Sequence, residues 1–284
     1  MNLKRQLSEL IAKISPQLYF RCAYFYNRGH FPNLYRPKDI SEVLIKQVLD
    51  GTVDSMAFLA DKYQVRDFIK RKGLAHLLTP LIKVYSNPDE INFNTLPDKF
   101  AIKMNYGAGM NIICTDKNKL DFELARQTLR KWLDKKYYSS VEKHYNLIPR
   151  KIIVEEFIDD GTGGFPTDYK FMCIYGKVFC ILACNARETG HASYAPFDIN
   201  WNYIAEYDKL HRAYTVIPKP KNLSKMIDIA ETISQGFGIV RIDLFSNGSK
   251  IWFGEITLTP SGCILHGWTQ KALDDMGNQY CNQR

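Results

Sequence analysis

The sequence predicts an α+β protein, and three observations lead there. Helical spacing fills roughly the first eighty of 284 residues, and short strand patterns take over after residue 99. The later strands come as neighbours joined by tight turns, so no regular alternation of strand and helix develops. Neither a Gly-x-x-x-x-Gly-Lys-Ser/Thr loop nor a Gly-x-Gly-x-x-Gly fingerprint is present, which excludes two familiar routes to nucleotide binding.

The N-terminal "MNLKRQLSELIAKISPQLYFR" spreads charge through its apolar positions, so it reads as an amphipathic surface helix and not as a signal peptide. Contact of that basic helix with a membrane surface is a second reading. Val43, Leu44, Gln47 and Val48 fall at helical spacing and stop at Gly51. Phe58, Leu59, Tyr63 and Val65 predict one further helix, with Gly73 as its stop. Strands are expected at 100–104 and 111–115, separated by "NYGAG". Asp121 is placed to cap a helix over "DFELARQTLRKWLDKKYYS". The stretch 150–159 is a strand running into "GTGGFP", and two strands around Gly176 occupy 168–186. A helix over "NLSKMIDIAETISQGFG" then leads into "RIDLFSNGSKIWFGEITLTPSG", residues 241–262, which reads as a hairpin.

Composition limits the class of protein. No run approaches the roughly eighteen apolar residues that a membrane helix needs, so no transmembrane segment is expected. The seven cysteines are scattered without a Cys-x-x-Cys pair, and the six histidines lack metal-site spacing. This pattern suits a reduced, cytoplasmic, zinc-free protein. The net charge of +8 suits acidic partners such as nucleotides or anionic sugars. No helix-turn-helix, zinc-finger or RNA-recognition signature supports nucleic acid as the partner.

Three groups of residues can carry chemistry. Lys103 precedes a loop containing Gly107, Ala108 and Gly109, whose small side chains would let backbone N–H groups approach phosphate oxygens. A hairpin turn beside a solvated lysine is the plainer alternative. Glu155 and Glu156 end a strand, either as an exposed edge or where backbone groups read an adenine edge, with Asp168 near a ribose hydroxyl. Asp243 and Glu255 stand inside the apolar hairpin, where a carboxylate costs several kcal/mol or more unless paired or cation-bound. A two-residue Asn247-Gly248 turn would set Asp243 opposite Trp252 and send Glu255 to the other face. A shared site therefore requires a connection of odd length or a bulge.

The order of these features resembles the ATP-grasp superfamily. A strand lysine precedes a glycine-rich loop, followed by Glu-Glu-Phe-Ile, an Arg-x-Asp strand, and a Glu-x-Thr strand leading to Pro and Gly. "LADKYQVRDFIKRKG" and "LPDKFAIKMNYGAGMNIICTDK" look like the branch similar to teichuronopeptide-synthesis proteins of bacterial surface polysaccharide. The likeness spans roughly residues 20 to 268. It implies a mainly helical region at 1–85, a small subdomain with a glycine-rich lid at 86–155, and a large subdomain with the metal site at 156–284.

The resemblance further implies ATP and Mg²⁺ as cofactors. Lys103 would contact the α- and β-phosphates, residues 107–109 would cover the β- and γ-phosphates, and Glu155, Glu156, Phe157 and Ile158 would form the adenine hinge. Asp168 would bind ribose, and Lys170 would point into the same cleft or into solvent. Asp243 and Glu255 would bind magnesium, with Arg241 facing the transferring phosphate. Many relatives carry Asn two residues after the metal-binding Glu; Thr257 stands there instead, a weaker ligand that leaves the second metal position open. Arg187 is a further anion-binding candidate, with a solvated loop arginine as its alternative. The implied activity is carboxylate–amine ligation through an acylphosphate, on a uronic acid or amino acid destined for a capsule or other surface polysaccharide. Phosphate transfer to a sugar hydroxyl, and a non-catalytic glycan- or nucleotide-binding module, are the competing functions.

Overall fold

The computed structural model, which describes residues 10–137, 140–159, 166–185, 192–211, 213 and 216–283, is built on two antiparallel sheets. The first comprises β1 (Leu81–Tyr85), β2 (Phe100–Met104), β3 (Asn111–Cys114) and β4 (Ile152–Glu156), in the order β1-β4-β2-β3. The second comprises β5 (Thr167–Ile174), β6 (Lys177–Asn185), β7 (Ser193–Phe197), β8 (Ile239–Ser246) and β9 (Ile251–Thr257), in the order β7-β6-β5-β8-β9. The main helices are α1 (Pro16–Arg28), α2 (Ile40–Leu49), α3 (Val65–Arg71), α4 (Phe122–Leu133), α5 (Leu223–Ser234) and α6 (Gln270–Asn282). No helix among the described residues is long and apolar enough to cross a membrane.

Strand alternation gives each sheet one core face and one polar-bearing face. In β2, Phe100, Ile102 and Met104 are fully buried and pack with Val154 of β4 and with Ala125 and Leu129 of α4. The intervening Ala101 and Lys103 point the other way, as does Glu155, the cross-strand partner of Ala101. In the second sheet, Phe171, Ile242 and Leu244 pack with Met226, Ala230 and Ile233 of α5. Burial at roughly 1.5–3 kcal/mol for each such side chain makes these core faces the main source of register.

The other face of the second sheet is closed at one end by a separate cluster. Phe20 and Tyr24 of α1, Ile40 and Leu44 of α2, and Leu273 and Met276 of α6 meet there over Met172 and Cys180. Asp39 caps α2 in a reciprocal capping box with Glu42, and also accepts from Tyr24 Oη and from Gln270 Nε2 at 3.0 Å. Helices from both ends of the chain thus converge on one carboxylate.

One expectation is corrected. The stretch "SMAFLADKYQVRDFIKRKG" is not one helix but a single turn, Ala57–Ala60, followed by α3. Asp61 causes the break: its carboxylate accepts the N–H groups of Tyr63 at 2.8 Å and Gln64 at 3.2 Å, and the amide of Asn105 at 2.8 Å. Such side-chain bonds compete with the helical ladder. The region read as mainly helical, 1–85, also contains one strand, because Leu81–Tyr85 pairs antiparallel with β4. Asp121 caps α4 through a bond from Leu124 N, matching its expected start. Strand β7 and helix α6 add to the elements read from the sequence.

Two outcomes test this packing. At Gly277 a Cβ atom would lie 2.1 Å from the Lys38 carbonyl oxygen and 2.6 Å from Asp39 Cα. Backbone cannot yield as a flexible side chain does, so Gly277→Ala should destabilise by about 3 kcal/mol in denaturant melts. His144 is 1% exposed, and burial pushes its imidazole down to about 4 from 6.5. The unfolded chain therefore binds the extra proton first, and stability falls as pH drops from about 6.5 towards 4, by on the order of 3 kcal/mol. His144→Gln should flatten that part of a stability–pH curve.

Candidate active site

The polar faces of the two sheets line a cleft of about 300 Å³. Lys103 and Glu155 reach it from the first sheet, and Asp168, Lys170, Arg241, Asp243 and Glu255 from the second. The second set shares a face because Lys170 stands directly opposite Asp243, and Arg241 lies two residues along the same strand. The Gly107–Gly109 loop between β2 and β3 forms another wall. Gly107 and Gly109 both have φ of 71°, a left-handed conformation that glycine adopts without strain.

A β-bulge brings the two hairpin carboxylates to the same face. Ser246 pairs with Ile251 across a four-residue connection, so unbroken register would place Asp243 opposite Gly254 and turn Glu255 away. The pairing instead shifts between Asp243 and Leu244, and Asp243 faces Glu255. Gly254 is required for the close approach: a Cβ there would meet the Asp243 carbonyl oxygen at 2.9 Å and the Phe245 ring at 3.0 Å.

Ion pairs saturate much of the cleft. Asp243, 3% exposed, accepts from Arg241 Nε and Lys170 Nζ at 2.6 Å each, and from Arg241 Nη2 at 2.7 Å. Burial alone raises its pKa, but Arg241 and Lys170 outweigh burial and hold the carboxyl below its usual range. Lys170 also reaches Asp168 at 2.6 Å; burial lowers its pKa, but Asp243 and Asp168 overcompensate and raise it. Glu255 is more open, with Arg241 Nη2 at 3.2 Å and the Thr257 hydroxyl at 2.8 Å. Across the cleft, Glu155 sits between Arg66 at 2.9 Å and Lys103 at 2.8 Å. Five cations and four carboxylates thus line the cleft, leaving it net positive and fit for a polyanion.

The residues singled out from sequence distribute as follows. Lys103, Gly107, Ala108, Gly109, Glu155, Asp168, Lys170, Arg241, Asp243 and Glu255 surround this one cleft. Glu156, Phe157 and Ile158 line an adjoining apolar lobe of about 250 Å³ with Ala101, Ile113 and Phe245, and Lys103 belongs to both spaces. Glu155, grouped with the hinge in the sequence reading, instead turns its side chain to the cations. Thr257 donates to Glu255 and is opposite Arg241 in the ladder. Arg187 lies outside the described residues.

Lys62 and Arg66 were missed by sequence reasoning, although both lie in the quoted "LADKYQVRDFIKRKG" stretch. The Asp61 turn projects Lys62 into the cleft, where its Nζ donates to the Gly107 carbonyl at 2.6 Å and lies 3.9 Å from Glu255. Burial lowers the Lys62 pKa, only partly offset by Glu255. This lysine ties the glycine loop to the opposite sheet. A lysine placed directly after an aspartate able to close a turn was the available signal.

Beyond Arg241 and Lys170 a second chamber of about 240 Å³ opens, walled by Leu182, Tyr194, Pro196, Tyr207 and Trp268 and holding Asp208 and His266. Its rim includes a strained segment: Ser261, Cys263 and Leu265 have φ of 48°, 69° and 49°. Each such residue costs of order 1–3 kcal/mol and must be held by its surroundings. Arg28 of α1 supplies the hold, donating to the carbonyls of Trp268 at 2.8 Å, Leu265 at 2.9 Å and Ile264 at 3.0 Å.

Comparison with known proteins agrees with this geometry at the level of family. The model of the family described as TupA-like ATP-grasp matches residues 42–279. No curated protein sequence matches the chain. Among solved structures, it is similar to a D-alanine–D-alanine ligase from Bacillus anthracis complexed with ATP, at 14% identity and TM-score 0.47, covering 80% of this chain and 67% of that one. A Helicobacter pylori D-alanine–D-alanine ligase shows 12% identity and TM-score 0.45, covering 78% of this chain and 58% of its own. A D-cycloserine synthetase shows 12% identity and TM-score 0.45, over 80% of this chain and 71% of its own. The chain thus spans less than two thirds of the Helicobacter enzyme's length.

The bulge offers a direct test of the site's construction. Gly254→Ala should lower stability by about 1–3 kcal/mol in denaturant melts, because the obstructing atom is backbone. An unchanged midpoint would show that the register does not depend on this glycine.

Proposed function

We propose that this chain, which belongs to the TupA-like ATP-grasp family, is an ATP-dependent carboxylate–amine ligase. One observation carries the reading: Asp243 and Glu255 face each other on one side of a cleft that also presents Lys62, Lys103, Lys170, Arg241 and the Gly107–Gly109 loop. The adenine ring fits the apolar lobe beside Glu156–Ile158, with the triphosphate running towards Lys103, Lys62 and the glycine loop. Backbone N–H groups of that loop, free of Cβ crowding at Gly109, suit phosphate oxygens.

The hard carboxylate oxygens of Asp243 and Glu255 are suitable donors for Mg²⁺, with Glu255 the more open of the two. No cluster of three or more His, Cys, Asp or Glu side chains able to hold a metal occurs among the described residues, so phosphate oxygens and the Thr257 hydroxyl would complete such a site. Bound there, Mg²⁺ would neutralise phosphate charge and polarise the transferring group. Asp243 would exchange its Lys170 contact on loading, which frees that ammonium for the phosphates.

The chemistry then proceeds in two displacements. A substrate carboxylate oxygen bonds to the γ-phosphorus as the bond to ADP breaks, giving an acylphosphate. An amine next attacks the acyl carbon, loses a proton and expels phosphate, leaving an amide. Arg241 faces both the cleft and the second chamber, where it can balance negative charge in both displacements. No nucleophilic Ser or Cys is required. The family relationship and the positive cleft favour a uronic acid or amino acid of bacterial surface polysaccharide as substrate, and ATP dependence assigns the reaction to the cytoplasm.

Release of ADP and phosphate, measured with carboxylates alone, amines alone and both together, tests the reading. Amide product and free phosphate should appear only with both partners. Retention of the phosphoryl group on a sugar hydroxyl would establish the kinase reading instead. Lys103→Ala, Asp243→Asn and Glu255→Gln should each slow ADP formation roughly 10²–10³-fold. Unaltered cellular function in the two carboxylate variants would establish a non-catalytic binding module.

A further inference from the structure

We infer that the second chamber binds a free amino acid, with Asp208 pairing its ammonium group and Arg241 receiving its carboxylate. The inference rests on the ligase reading and chooses between the two substrate classes which that reading leaves open. Its starting point is the state of Asp208. This residue is only 6% exposed, yet it has no cation partner among the described residues. Its carboxylate accepts one bond from the Leu210 N–H at 3.2 Å and one from the Tyr203 hydroxyl at 3.3 Å. Both donors are neutral and both bonds are long. Every other buried carboxylate around Arg241 is matched: Asp168 has Lys170, and Asp243 has Lys170 and Arg241.

A buried carboxylate left with neutral donors is costly, and an entering cation would compensate it. The backbone around Asp208 is fixed independently of any such partner. Asp208 forms an isolated antiparallel bridge with Trp268, Lys209 N donates to the Gly267 carbonyl at 3.2 Å, and Thr269 N donates to the Tyr207 carbonyl at 3.2 Å. The carboxylate is therefore presented to the chamber by a braced segment and is not a loop residue that can swing to solvent.

The chamber's polarity gives the ligand a direction. Arg241 and Lys170 form the boundary shared with the nucleotide cleft, and Asp208 lies in the chamber away from that cleft. A zwitterion satisfies both: its carboxylate turns to Arg241, where phosphorylation would occur, and its ammonium pairs with Asp208. A uronic acid brings the same carboxylate but only neutral hydroxyls, so the buried charge of Asp208 would stay uncompensated. Leu182, Tyr194, Pro196 and Trp268 provide apolar walls for the intervening carbons, and about 240 Å³ accommodates an amino acid.

The test measures ATP-dependent hydroxamate and ADP with hydroxylamine as the amine. The panel is the twenty standard amino acids in L and D form, N-acetyl forms of those that react, and D-glucuronate and D-galacturonate. At least one free amino acid should react, and its N-acetyl form should be roughly 100-fold poorer, since acetylation removes the charge that Asp208 reads. Asp208→Asn should raise KM for that amino acid by roughly 100-fold and leave the Kd for ATP, measured by calorimetry, within about twofold. Turnover of the uronic acids alone, or indifference to N-acetylation, would overturn the assignment while leaving the ligase reading intact. ATP binding without turnover of any carboxylate would overturn both.

Discussion

The buried pairing of Asp243 with Arg241 and Lys170 is the interaction on which the rest of the site depends. Removing three charges from water costs several kcal/mol for each ion, and only close, multiple hydrogen bonds offset that cost. The three groups meet because β5 and β8 are neighbours in register, with Lys170 opposite Asp243. Shifting either strand by one residue would send one charge into the apolar layer under α5. The charge cluster therefore specifies register as firmly as the hydrophobic faces do. It also explains the extra residue at Gly254, since Glu255 can share Arg241 only from the same side of the hairpin.

The cleft holds its own counterions. Glu155 organises Arg66 and Lys103 on one side, and Asp243 organises Lys170 and Arg241 on the other. Lys62 reaches between the two sides, bound to the glycine loop and near Glu255. A triphosphate bound as proposed would replace carboxylates that already orient the cations. Electrostatic preorganisation of that kind lowers the reorganisation needed when charge moves during reaction.

Much of this arrangement was legible because it rests on local rules. Strand alternation in "FAIKM" and "IIVEE" separates Lys103 and Glu155 from the core, and the position of Asp243 and Glu255 in an apolar hairpin marked them as needing partners. The need for a bulge followed from pairing parity alone, though its position at Gly254 did not. Lys62 and Arg66 escaped notice because tertiary contacts of Asp61 convert a helical pattern into a turn. Leu81–Tyr85 was hidden for a related reason: its partner β4 lies some seventy residues later, and five residues carry little periodicity. The second chamber was illegible, since it is assembled from segments as distant as Lys170, Asp208 and Trp268.

The Arg28 clamp has a consequence for how the protein is made. Its three acceptor carbonyls lie 236 to 240 residues downstream. Because a ribosome extends the chain from its N-terminus, α1 emerges 236 residues before the first of the carbonyls it clamps. Until then the strained 261–265 segment has no brace, and Phe20 and Tyr24 have no α6 to pack against. The rim of the second chamber can therefore close only once the segment up to Trp268 has been synthesised. Closure of that rim is thus a late step of folding, set by the sequence distance between Arg28 and its acceptors.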